Sequence, residues 1–105
     1  MCSYKLYVDD LRNPKGNEKY VIARSSREAI ELMTLRGCPI FISFDHDLGG
    51  DDIAMIIVKW MIERDLDLSG QFIPSKFEFN VHSANPVGAK NIQSLLDNYL
   101  RTCRV

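Results

Sequence analysis

Residues 40–49 read IFISFDHDLG, and this stretch decides the fold. Its first half, Ile40–Phe44, is apolar on both faces. That is the pattern of a central strand in a parallel sheet covered by other layers. Its second half ends the strand abruptly at Asp45-His46-Asp47 and turns at Gly49-Gly50. A histidine between two acids, directly behind an apolar run, is an unusual choice for a plain surface turn.

The same layout recurs on either side. Tyr4–Val8, rich in aromatic and β-branched residues, reads as a short buried strand that stops at Asp9-Asp10. Tyr20–Ala23 is a further strand. Phe77–Val81 alternates apolar and polar residues, as an edge strand with one wetter face does, and stops at His82-Ser83. Between the strands lie helical patterns. Ser25 followed by Glu28 forms a capping box, and Ala29, Ile30, Leu32, Met33 and Leu35 make an apolar face behind it. Gly37 and Pro39 stop that helix. A second helix is expected over Ile53–Arg64, apolar around most of its circumference, with Asp51 or Asp52 as its cap and Glu63, Arg64 and Asp65 as its polar end. Asp67–Lys76 reads as an exposed loop. Asn85-Pro86 opens a third helix carrying Val87, Ile92, Leu95, Leu96, Tyr99 and Leu100 at helical spacing. Leu11–Lys19, with Asn13-Pro14 and Lys15-Gly16-Asn17, has turn chemistry and no helix.

The order β-loop-β-α-β-α-β-α predicts a single α/β domain with a mainly parallel, three-layer arrangement and right-handed crossovers. The first connection, about a dozen residues, fits either a cramped parallel crossover or a long hairpin. A length of 105 residues with 46% hydrophobic and 26% charged suits one globular core and excludes a disordered chain. A net charge of −1 does not call for nucleic acid or an anionic membrane, although Lys90, Arg101 and Arg104 leave room for a local basic surface. The three cysteines, Cys2, Cys38 and Cys103, form no C-x-x-C, so we expect reduced thiols and a cytoplasmic chain with neither signal peptide nor membrane span.

If the strands are parallel, the polar clusters gather at the carboxyl edge of the sheet, where open α/β folds hold ligands. Asp9, Asp10 and Asp45 are then oxygen donors for a divalent cation, magnesium by preference, because neighbouring carboxylates ionise together when a cation neutralises them. Arg12 offers a phosphate a planar two-bond grip. His46 and His82, the only two histidines of the chain, are expected in equivalent positions of neighbouring strands. There they can serve as acid and base in a phosphodiester cleavage, with Asp47 orienting His46. Asn85 caps its helix, and the uncrowded first turn at Val87, Gly88 and Ala89 has N–H groups suited to an anion.

At these clusters the chain resembles the receiver domains of two-component signalling. Asp9, Asp10, Asp45, Ser83 and Ala84 match that family's phosphoacceptor pocket. It is more similar to the cyclic-phosphate-processing receiver-like family, through Leu6–Pro14 (LYVDDLRNP), Phe44–Gly49 (FDHDLG) and His82–Ile92 (HSANPVGAKNI). The resemblance implies a flavodoxin-like domain with strand order 2-1-3-4, from which the chain departs in showing no helix between its first two strands. It implies a phosphoesterase acting on a small cyclic nucleotide or an RNA end bearing a 2′,3′-cyclic phosphate, with Arg12, Ser83 and Asn85 on the phosphate. The lysine of ordinary receivers has no counterpart here and no fifth strand is evident, which weakens the alternative of a signalling receiver phosphorylated on Asp45. A module that binds a cyclic nucleotide without cleaving it is the other alternative.

Overall fold

The computed structural model describes residues 3–16 and 19–103. Strand β3 (Phe41–Phe44) pairs with β1 (Lys5–Val8) on one side and β4 (Glu78–Val81) on the other. Strand β2 (Val21–Ala23) pairs with β1. All pairings are parallel and the order is β2-β1-β3-β4, as the resemblance implies. The open question about the first connection is therefore answered: β1 and β2 are joined by a parallel crossover with no helix among its described residues, 9–16 and 19–20, while Asn17 lies outside them.

Helix α1 (Ser26–Arg36) starts where expected, with Ser25 Oγ accepting the Glu28 N–H at 3.0 Å. Glu28 closes the box one residue early, accepting from the Arg24 N–H at 2.8 Å. Gly37, with φ of 84°, ends the helix, and its carbonyl accepts from the Tyr4 hydroxyl at 2.5 Å. Helix α2 spans Met55–Asp67 and α3 spans Pro86–Cys103.

Helix α1 packs on α2 and α2 on α3. Right-handed crossovers that step the same way along a sheet place their helices on the same face, and here the β2-α1-β3 and β3-α2-β4 steps share a direction. That face carries Leu6, Val8, Ile42 and Phe44, each fully buried against Met33, Ile57, Met61, Ile92 and Leu96. Burial of such side chains stabilises by about 1.5–3 kcal/mol each. The helix missing between β1 and β2 would supply the third layer. Without it the opposite face, which carries Lys5, Tyr7, Phe41, Ser43, Glu78 and Asn80, has no helix over it among the described residues.

Three local expectations are corrected. Helix α2 begins two residues late because Ile53 is held in a bridge with Asp47. Its cap is Ala54, with no side-chain hydrogen bond, since the Asp52 carboxylate instead accepts from Ser26 N–H at 2.9 Å and Ser26 Oγ at 2.5 Å. Asp65 is not an exposed helix end. It is fully buried and accepts from the Phe72 and Ile73 N–H groups at 2.9 and 2.8 Å and from the Tyr99 hydroxyl at 2.6 Å. The expected exposed loop is thus anchored, with Ile73 in the core and Phe72 edge-on to Trp60.

No helix among the described residues is long and apolar enough to cross a membrane. Cys38 is half-buried, whereas Cys2, Arg104 and the Cys103 side chain lie outside the described residues.

Tyr4 gives the fold an alkaline limit. Burial pushes its phenol up to about 12, reinforced by the Cys38 charge and opposed by Arg36, whose guanidinium lies 4.5 Å over the ring. A phenol raised in the folded state contributes stability that is intact below its unfolded value near 10 and is lost as pH rises toward 12. The stability advantage of wild type over Tyr4→Phe should shrink by about 1.4 kcal/mol per pH unit across that window. Urea titrations at stepped alkaline pH check it, and a constant difference would refute it.

Candidate functional site

The sheet register sorts the polar clusters. The ladder runs one residue past each strand: Asp9 N–H donates to Ala23 O at 3.1 Å, Asp45 N–H to Val8 O at 2.8 Å and His82 N–H to Phe44 O at 2.8 Å. Asp9, Asp45 and His82 therefore stand in one row at the carboxyl edge. Alternation of side chains places this row on the open face, directly above Tyr7, Ser43 and Asn80.

His82 is held on all sides. Its Nε2 lies 3.0 Å from Asp9 Oδ2, its Nδ1 lies 2.7 Å from Ser43 Oγ, and its ring stacks on Tyr7 with centroids 4.6 Å apart. Ser43 Oγ in turn donates to Asn80 Oδ1 at 2.6 Å. Asp9 makes Nε2 a donor. With the Ser43 proton given to Asn80, Nδ1 also donates. With the Asn80 amide turned over, Ser43 donates to Nδ1 instead. The orientation of the Asn80 amide therefore sets whether Nδ1 donates to or accepts from Ser43.

Asp9 is fully buried. Its Oδ1 accepts from the Leu11 and Arg12 N–H groups at 3.0 and 2.8 Å, which folds the start of the 9–20 connection around it. Burial is the largest single influence on its carboxyl and pushes it up, but these N–H groups, His82 and the Arg12 charge together hold it below its usual value. Arg12 Nε lies 3.1 Å from Asp9 Oδ2 and Nη2 3.5 Å from Asp45 Oδ2. The charge of Asp9, then that of Asp45, favours the guanidinium further. Asp10 completes an acidic trio in which one oxygen each from Asp9, Asp10 and Asp45 lies within 4.8 Å of the others.

Arg24, which sequence reasoning passed over, clamps this connection. It donates to Asp9 O at 3.1 Å, Arg12 O at 2.7 Å and Asn13 Oδ1 at 2.5 Å. A lone arginine beside a capping serine carries no signal of that role.

His46 belongs to a second group. Because Phe44 pairs with Val81, His82 is level with Asp45, not with His46. The expectation of equivalent positions is corrected by this offset of one residue, which reverses the side of the sheet. His46 packs instead on the start of α3, where a Cβ on Gly88 would overlap its ring. Its Nδ1 lies 3.1 Å from Asp47 Oδ1. Asn85 joins the group from α3, with Nδ2 donating to Asp47 Oδ2 at 3.3 Å and Oδ1 accepting from Gly88 N–H at 3.0 Å. Ser83 Oγ accepts from Asn85 N–H at 3.0 Å and keeps its own proton to donate. The first turn of α3 is a poorer anion seat than expected, because Pro86 has no N–H and that of Gly88 is already capped. Between the two groups lies Asp45, in the row of His82 and adjacent in sequence to His46.

Gly88 offers a direct check of this packing. Glycine to alanine inside a helix ordinarily gains about 1 kcal/mol. Gly88→Ala should instead destabilise and shift the His46 ring resonances, as urea melts and NMR would read. A gain in stability with unmoved resonances would count against the contact.

No curated protein and no solved structure matches the chain. A family model does: the cyclic-phosphate processing receiver domain matches residues 4–98. Through that match, on the strand order and the site just described, the chain belongs to the family of cyclic-phosphate processing receiver domains.

Proposed function

We propose that this chain is a phosphoesterase that opens a cyclic phosphate. The observation that carries the reading is the gathering of Asp9, Asp10, Asp45, Arg12 and His82 at one sheet edge, with the His46–Asp47 pair adjoining through Asp45.

The acidic trio suits a hard divalent cation. Asp9, Asp10 and Asp45, each with one oxygen within 4.8 Å of the others, would be the residues to hold it. When bound, the cation would neutralise phosphate and favour a hydroxide nucleophile. The side chain of Arg12, half exposed, would turn from the carboxylates to the phosphate oxygens, and Ser83 would donate its hydroxyl to another. His46 Nε2 makes no hydrogen bond to a described residue while Asp47 holds Nδ1, which is how a carboxylate orients an imidazole for proton transfer. We assign His46 the mobile proton. We assign His82 the second proton position and the holding of Asp9.

The test is a panel of 2′,3′- and 3′,5′-cyclic nucleotides and RNA ends, with magnesium or manganese and after EDTA, followed by phosphorus NMR. Conversion of a cyclic diester to a monoester, lost with EDTA and restored by metal, is expected. A ligand bound and recovered unchanged, or no turnover at all, overturns the enzyme reading. EDTA-resistant turnover overturns the metal.

A further inference from the structure

The face of the sheet with no helix over it among the described residues is continuous with the site. Below the row of Asp9, Asp45 and His82 comes the row Ile22, Tyr7, Ser43 and Asn80, and below that Tyr20, Lys5, Phe41 and Glu78. Rings run down it without a break. His82 stacks on Tyr7, Tyr7 meets Tyr20 edge-on at 5.6 Å, and Tyr20 leans on Phe41 at 6.3 Å. The strip ends in a hollow of about 590 Å³ lined by Lys5, Tyr20, Phe41, Lys76, Glu78 and Asn80. The upper end opens on a second hollow of about 440 Å³ lined by Tyr7, Arg12, Asn13, Lys15 and His82.

We propose that this face binds the last nucleotides of a single-stranded RNA whose terminal phosphate enters the site. This rests on the phosphoesterase reading and names its substrate class. Half-buried rings on an open sheet give sequence-tolerant stacking for bases. Lysines and an arginine flank the strip at both ends, as a phosphate backbone requires. The spacing fits as well: two residues along a strand advance about 7 Å, so the lower hollow lies about 13 Å from the acidic row. One nucleoside attached to the phosphate cannot fill both hollows, whereas a chain of two or three nucleotides can. A 2′,3′-cyclic phosphate also requires a ribose.

Fluorescence anisotropy with a 5′-labelled tetraribonucleotide 3′-phosphate, competed by a nucleoside 3′-monophosphate, tests the proposal. We expect the tetranucleotide to bind at least tenfold tighter, and Tyr20→Ala and Lys76→Glu each to weaken it about tenfold while leaving the mononucleotide unchanged. Lys76 is exposed, so its variant folds even if loss of the Tyr20 ring is disruptive. Equal affinities, or variants without effect, overturn the platform. So does a concentration-dependent dimer that Tyr20→Ala dissolves in a protein that does not bind the tetranucleotide. Turnover that ignores chain length removes the platform and leaves the enzyme. Selective tetranucleotide binding without turnover of any cyclic phosphate does the reverse.

Discussion

Replacing His46 by alanine should lower turnover of a cyclic phosphate by about 10²–10⁴-fold, the range that positioned acid–base groups contribute. The argument is geometric. Asp47, itself held by Asn85, fixes the ring through Nδ1, Gly88 leaves it room, and Nε2 has no hydrogen bond among the described residues. His82→Ala should behave differently. It removes a stacking partner of Tyr7 and a hydrogen bond to Asp9, so KM and the metal requirement should change along with kcat. Added imidazole should restore part of the His46→Ala rate, because the lost group acts through a proton and leaves a ring-sized gap. Steady-state kinetics with and without imidazole measure this, with thermal melts as a folding control. A His46→Ala protein within threefold of wild type would end its assignment as the proton carrier.

The largest effect on stability should come from Asp65→Ala, roughly 3–5 kcal/mol in urea unfolding. That is the scale for breaking a buried, charge-assisted network. The substitution strands the Phe72 and Ile73 N–H groups and the Tyr99 hydroxyl, all of which bond to one carboxylate away from solvent. Each buried group left unpaired costs about 1–3 kcal/mol. Asp65→Asn should lose less, since its carbonyl oxygen can still accept from the backbone pair and its amide can donate to Tyr99. The phenol–carboxylate bond also ties α2 to α3, which carries Asn85 and Gly88, so the loss should reach the His46 group. A change below 1 kcal/mol for Asp65→Ala would show that the network is replaced by water.

Much of this molecule is legible in one dimension because the relevant forces are local. Ser25 and Glu28 mark the start of α1 because capping is settled within one turn. Asn85 and Pro86 mark the start of α3 for the same reason. The apolar runs locate every strand to within a residue, since burial on a pleated sheet leaves a short continuous signature. The role of Asp65 is not legible in the sequence because its partners lie on a following loop and on another helix, and a carboxylate near a helix end looks alike whether it faces water or three donors. Arg24 carries no signal for a similar reason, and Gly88, read as room for an anion, makes room for the His46 ring, because the importance of both comes from what the fold brings against them.

The sequence alone determined the alternation of strands and helices, the polar clusters at the strand ends and the residue types gathered there, because each follows from periodicity and turn chemistry within a few residues. Tertiary structure alone decided which clusters share a face. A parallel sheet can pair its strands in several registers, and a shift of one residue exchanges the two sides. The pairing of Phe44 with Val81 therefore assigns His82 to Asp9 and Asp45, and leaves His46 with Asp47 and the start of α3. It likewise required the assembled sheet to show an aromatic face beneath the site with no helix over it among the described residues.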